Sequence, residues 1–221
     1  MATYDLEEQE QLEELKTWWR LHGTVVTGIV TALAVAVVSW QGWQWWQQSQ
    51  SGQAAQLYAG IQQALMQQDA KRVRMLSGEL IDKYSGTAYA GMAAMLSGKV
   101  LAETGDLKSA AAQYGWAADK SRDNGLRDLA RLRQAIVLAE DKQPDEALKL
   151  LAVPPAPTFM PRYLEVRGDI LATQGKTAEA RTAYDEALKA EEAGRKAENQ
   201  PAGPYHDILQ SKRDAVAGGT A

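Results

Sequence analysis

The 221-residue sequence has no cysteine, which excludes a disulfide framework, a thiolate nucleophile and any cysteine-ligated metal. It has two histidines, His22 and His206, and neither has a second ligand or a nucleophile beside it in the sequence. Phenylalanine occurs once. Strand signal is almost missing beyond residue 50, so a β-sandwich or a parallel-sheet enzyme core is excluded. A nucleotide-binding loop is excluded as well: the QGKT at 174–177 would need a glycine where Ile170 stands. Finally, Asp, Glu, Lys and Arg are all missing between Gly23 and Trp46.

That last absence defines the first element. The run GTVVTGIVTALAVAVVSWQGWQWW, at a helical rise of ~1.5 Å per residue, covers about 32 Å from Trp19 to Trp40, close to the ~30 Å of a bilayer's hydrocarbon. Six of the seven tryptophans flank it, Trp18 and Trp19 before and Trp40, Trp43, Trp45 and Trp46 after, as rings at two water interfaces do. A cleaved signal peptide would need a basic leader and a small-residue cleavage site. Here the leader is acidic and the exit is tryptophan and glutamine, so the run is expected to remain as an anchor. Gly28, Ala32 and Ala36 recur every four residues and form a strip on which another helix could pack closely in lipid.

Charge is informative when divided at the anchor. The leader carries Asp5, Glu7, Glu8, Glu10, Glu13 and Glu14 against Lys16 and Arg20, for a net −4, while 22 acids and 22 bases cancel beyond it. The outer part therefore lacks the basic footprint of a nucleic-acid binder. Lys16 and Arg20 precede the span and the next base is Lys71, which favours an N-terminus in the cytoplasm and a domain outside, in the periplasm of a Gram-negative cell. Leu12, Leu15 and Trp19 share one face of a short leader helix; a solvated tail and a cytoplasmic contact or degradation signal both fit it.

The remainder repeats. Gly105, Ala110, Tyr114 and Ala117 recur as Gly175, Ala180, Tyr184 and Ala187 at an offset of 70. A unit midway carries Ala147 and Leu151, with Pro144 at the tolerated first position of its second helix, and a fainter unit at 54–84 carries Val73. The steps between Val73, Ala110, Ala147 and Ala180 are 37, 37 and 33. Prolines 154, 155, 157 and 161 interrupt the chain between the third and fourth units. A last helix from Tyr205 to about Val216, with Tyr205, Ile208, Leu209 and Lys212 on one face, reads as a cap on the open end of the stack.

On this register the inner faces of the first helices carry Tyr58, Leu65 and Met66, then Met92 and Met95, then Leu129, Leu132 and Ile136, then the more polar Arg162, Glu165 and Asp169. Methionine and leucine adapt to varied apolar partners, so the first eight form a candidate peptide groove, unless neighbouring helices cover them as core. Acid pairs such as Asp185 with Glu186, or Glu191 with Glu192, lie among lysines and arginines and read as solvated helix faces. No residue qualifies as catalytic, cofactor-binding or metal-binding.

The opening YDLEEQEQLEELKTWWRLHG, the exit WQGWQWW and the motifs GDLKSAAAQY and GKTAEARTAY resemble the YfgM-type ancillary subunits of the SecYEG translocon, a tetratricopeptide repeat-like family. Small residues at Gly98, Ala110 and Ala117, and at Gly168, Ala180 and Ala187, match the close-approach positions of such repeats. The first-helix tryptophan of the repeat is replaced by Ala94, Arg131 and Leu164, so the units are divergent. The expected fold is all-α: one N-terminal transmembrane helix, then about four helix pairs and a capping helix. The expected divisions are an acidic leader at 1–20, a transmembrane helix at 21–46, a tether or helix continuation at 47–56, a periplasmic repeat domain at 54–217 and a frayed tail at 218–221. The resemblance implies an inner-membrane protein without enzymatic activity or cofactor. Its implied partners are the SecYEG translocon, a PpiD-type periplasmic chaperone and emerging, unfolded polypeptides. A periplasmic scaffold for cell-envelope or outer-membrane assembly is the alternative.

Overall fold

The computed structural model describes residues 4–218; of the expected frayed tail, residues 219–221 lie outside this range. Among the described residues there are nine α-helices, one short 3-10 turn and no strand. The helices are α1 (Tyr4–Met66), α2 (Ala70–Tyr84), α3 (Ala88–Glu103), α4 (Leu107–Lys120), α5 (Asn124–Glu140), α6 (Pro144–Leu151), α7 (Met160–Thr173), α8 (Thr177–Ala197) and α9 (Pro204–Gly218). Residues 47–56 lie within α1. The chain divides into two compact units, Met1–Gln50 and Ser51–Ala221, each described by itself.

In the first unit α1 is long and apolar enough to cross a membrane. Val25, Ile29, Val30, Leu33, Val37 and Val38 are all more than half exposed on successive turns, a distribution that a soluble core helix would not show. At its charged end Trp18 stacks on His22 with ring centroids 5.3 Å apart, and at the other Trp43 lies 5.6 Å from Trp46.

In the second unit the last turns of α1 pack on α2, Ile61 and Ala64 against Val73 and Leu80, and α3 pairs with α4, α5 with α6 and α7 with α8. The same turn closes the first helix of every pair. Gln68, Gly105, Lys142 and Gly175 have φ of 55°, 81°, 61° and 74°, and the next residue's N–H bonds the carbonyl five residues back: Asp69 to Ala64 (2.9 Å), Asp106 to Leu101 (2.9 Å), Gln143 to Leu138 (2.8 Å) and Lys176 to Leu171 (2.9 Å). This left-handed closure satisfies carbonyls that the helix end leaves unpaired. Its spacing of 37, 37 and 33 is that of Val73, Ala110, Ala147 and Ala180, which are all buried. Asp69 and Asp106 then cap α2 and α4 by accepting from the N–H groups of Arg72 and Ser109.

Close approach within two of the pairs depends on missing side chains. A Cβ at Gly98 would stand 2.8 Å from the Tyr114 ring, and one at Gly168 would stand 2.6 Å from Tyr184. Both tyrosines are buried, so the helices meet ring against bare backbone. The proline-rich passage after α6 is held from below: Asp128 accepts from the Ala156 N–H (2.9 Å), and the Tyr163 hydroxyl donates to the Asp128 carbonyl (2.7 Å). α9 packs on α8 through Leu209, which is fully buried. Ile208, expected on the same face, is instead half exposed, because α9 has a neighbour on one side only and Ile208 points away from it.

Candidate functional site

The first helices of the pairs lie side by side, and three of the second unit's clefts open along the face they share. The first, about 280 Å³, is lined by Leu65, Val73, Val100 and Glu103 among others. The second, about 440 Å³, lies between α3 and α5, with Met95, Leu96, Leu129, Ile136 and Val137 forming apolar walls and Tyr114 entering from α4. Lys99, Glu103, Arg133 and Glu140 stand around it. The third, about 370 Å³, lies between α5 and α7 and is lined by Ile136, Glu140, Arg162, Val166, Asp169 and Ile170. Glu103 belongs to the first two clefts; Ile136 and Glu140 belong to the last two.

Of the eight groove candidates, Met95, Leu129 and Ile136 come together in the second cleft and Leu65 lines the first. Met92 is half-buried on α3, and Met66 is 80 % exposed at the end of α1. Tyr58 sets its ring 5.5 Å from that of Tyr89 and packs against the core of the first pair. Leu132 is 4 % exposed and belongs to the core with Ala135, Ala147 and Tyr163, so it is core and not lining. The strip of Gly28, Ala32 and Ala36 is exposed on α1, with open space beside Gly28.

The polar end of the face is the part the sequence conveys least. Glu165, where the repeat register places Leu132 and Met95, is 1 % exposed. It accepts from Lys212 Nζ at 2.7 Å and from the Tyr205 hydroxyl at 2.9 Å, both on α9, and from Arg162. Lys212 Nζ also reaches Asp169 at 2.7 and 2.8 Å, and Asp169 accepts from the Tyr184 hydroxyl at 2.8 Å. Burial pushes the Glu165 carboxyl up, but hydrogen bonds from Lys212 and Arg162 outweigh it and hold the group below the ordinary carboxylate range. Burial likewise disfavours the Lys212 ammonium, and Asp169 and Glu165 more than restore it, so its value is raised. Tyr184 and Tyr205 are pushed up by burial and by the carboxylates they face, so both stay protonated donors. The sequence signal for this cluster is an acid at a core register position, which requires a cation from elsewhere in the chain.

A second correction concerns Glu191, expected on a solvated face. It is 9 % exposed, pairs with Arg195 at 2.7 Å and stands 2.9 Å from His206 Nδ1. It is buried because α9 crosses this part of α8. Among the described residues, no group of three or more His, Cys, Asp and Glu side chains is placed to hold a metal ion. What the arrangement offers chemically is a row of apolar clefts with charged rims, suited to holding side chains of a partner segment.

The family model for the tetratricopeptide repeat-like domain matches residues 16–218. The chain is 29 % identical to the ancillary SecYEG translocon subunit of Haemophilus influenzae, over 90 % of this chain and 96 % of that protein. It is 26 % identical to the protein of the same name in Neisseria gonorrhoeae and 23 % identical to that of Escherichia coli, in each case over 83 % of this chain and 88 % of the other.

Proposed function

Because the chain belongs to the tetratricopeptide repeat-like family, we propose that it is a non-enzymatic, membrane-anchored interaction module of the SecYEG translocon. The supporting observation is that similarity to proteins named as ancillary subunits of that translocon extends over 83 to 90 % of the chain, and that the family model takes in the apolar anchor and the helix pairs together. An inner-membrane location fits α1. The finer reading keeps the N-terminus in the cytoplasm, puts the helix pairs in the periplasm and has the second cleft receive apolar side chains from emerging polypeptides or from a PpiD-type chaperone.

Affinity capture from gently solubilised membranes tests the reading. Translocon subunits and a periplasmic chaperone are expected with the wild-type chain; recovery of neither overturns it. A photo-crosslinker at Met95, used while a secreted chain is in transit, separates the two occupants. Labelling of the nascent chain supports direct binding, and labelling of fixed partners alone makes the cleft a docking site.

A further inference from the structure

Tyr114 and Tyr184 hold the same place in the repeat and end differently. Their rings pack on Gly98 and Gly168, and they are 4 % and 3 % exposed. The Tyr184 hydroxyl donates to Asp169 at 2.8 Å, and Lys212 is the cation on that carboxylate. The Tyr114 hydroxyl has no hydrogen-bond partner among the described residues, and Tyr114 lines the second cleft.

The repeat register accounts for the difference. Val137 joins the cluster of Leu101, Ala110 and Tyr114, as Val216 joins that of Leu171, Ala180 and Tyr184, so α5 stands to α4 as α9 stands to α8. About one helical turn before these valines come Arg133 and Lys212, so a cation is common to both places. The acids are not: at the offset of 70, Asp169 and Glu165 are replaced by Lys99 and Met95.

The acids that do border the second cleft are placed elsewhere. Glu103 and Glu140 end α3 and α5, about one turn beyond Lys99 and about two beyond Arg133. Glu103 pairs with Lys99 at 3.7 Å and makes no hydrogen bond to Tyr114. Arg133 is exposed and has no ion pair among the described residues. Burial raises the Tyr114 phenol above its ordinary value, Arg133 opposes that and Glu103 adds to it by less, so the group is a protonated donor at neutral pH. A buried donor beside a cation, with no acceptor of its own, favours an acceptor that is negatively charged.

We propose that the second cleft takes a partner polypeptide segment with an aspartate or glutamate set between apolar side chains. The carboxylate accepts from the Tyr114 hydroxyl and pairs with Arg133, while its neighbours cover Met95, Leu129 and Ile136. Asp169 is the template, being the acceptor that the equivalent hydroxyl uses within this chain. The proposal rests on the reading of this cleft as a binding site and names the chemistry that it selects.

The test uses the full-length protein in zwitterionic lipid nanodiscs, with empty nanodiscs subtracted, and the fluorescent end-blocked peptides GSVLELVSG, GSVLQLVSG and GSVLKLVSG. The wild type is expected to bind the glutamate peptide about tenfold more tightly than the glutamine peptide, and the lysine peptide most weakly. Tyr114→Phe keeps the ring against Gly98 and should weaken the glutamate peptide about fivefold, with the glutamine peptide weakened by less. Arg133→Gln should bring the glutamate peptide level with the glutamine peptide, and Arg133→Glu should turn the preference toward lysine. Equal, measurable binding of all three peptides to the wild type leaves the cleft a binding site and overturns the carboxylate. A glutamate preference that neither Tyr114→Phe nor Arg133→Gln changes also overturns it, since the acid is then held elsewhere. Binding of none of the peptides overturns the proposal together with the reading of the cleft on which it rests.

Discussion

Gly168 and Lys142 set the residue-scale energetics of the repeats in opposite directions. Alanine at Gly168 would bring a methyl group to 2.6 Å from the buried Tyr184 ring. We expect Gly168→Ala to cost about 2 kcal/mol by overpacking, read as a lower urea midpoint with an unchanged slope. Lys142 occupies a left-handed turn, φ 61°, where the equivalent residues of two other repeats are glycine. Lys142→Gly relieves a strained backbone and is expected to stabilise by about 0.5 to 1 kcal/mol, raising Tm by ~2 °C in a thermal melt. The close approaches were legible in the sequence because Gly98 and Gly168 recur with Tyr114 and Tyr184 at a fixed offset. Glu165 was not legible in the same way: its principal cation comes from 47 residues further on, and local spacing carries no trace of it.

At the scale of the element, α9 is the helix whose attachment depends on pH. Glu165 has a folded value below its ordinary 4.5, so its stabilising contribution is complete above 4.5 and is lost as pH falls through the lowered value. Lys212 has a folded value above its ordinary 10.5, so its contribution is complete below 10.5 and fades as pH rises through the raised value. Between those limits α9 should stay docked, and as pH falls from 4.5 through the lowered value of Glu165 it should detach first. Exchange-protection profiles taken at stepped pH would show α9 losing protection while α3 to α5 keep theirs; simultaneous loss everywhere would contradict this. Helix count, pairing and the cap were readable from periodicity, because small residues at 37- and 33-residue steps fix where helices cross. Which neighbours lie inside was readable only in part. Leu129 and Ile136 line a cleft while Leu132, on the same helix, is core, a difference of rotation about the axis that an apolar stripe of roughly 100° does not resolve.

For the whole molecule, the expected consequence of the clefts is a separation of binding from stability. Met95 and Ile136 are half-buried and reach the second cleft from two helices. Met95→Gln with Ile136→Gln should reduce co-purification of the partner about tenfold while changing the melting temperature by only a few degrees. A matching loss of helix signal would show instead that both residues are core. Ile136 and Glu140 form a partition common to the second and third clefts, as Glu103 does for the first two. A single shortened side chain in such a partition widens two compartments together, and a strand threaded past it gives up two footholds at once. Affinity on this face should therefore fall in steps of paired compartments, and a guest long enough to straddle a partition gains far more than one confined to either side of it.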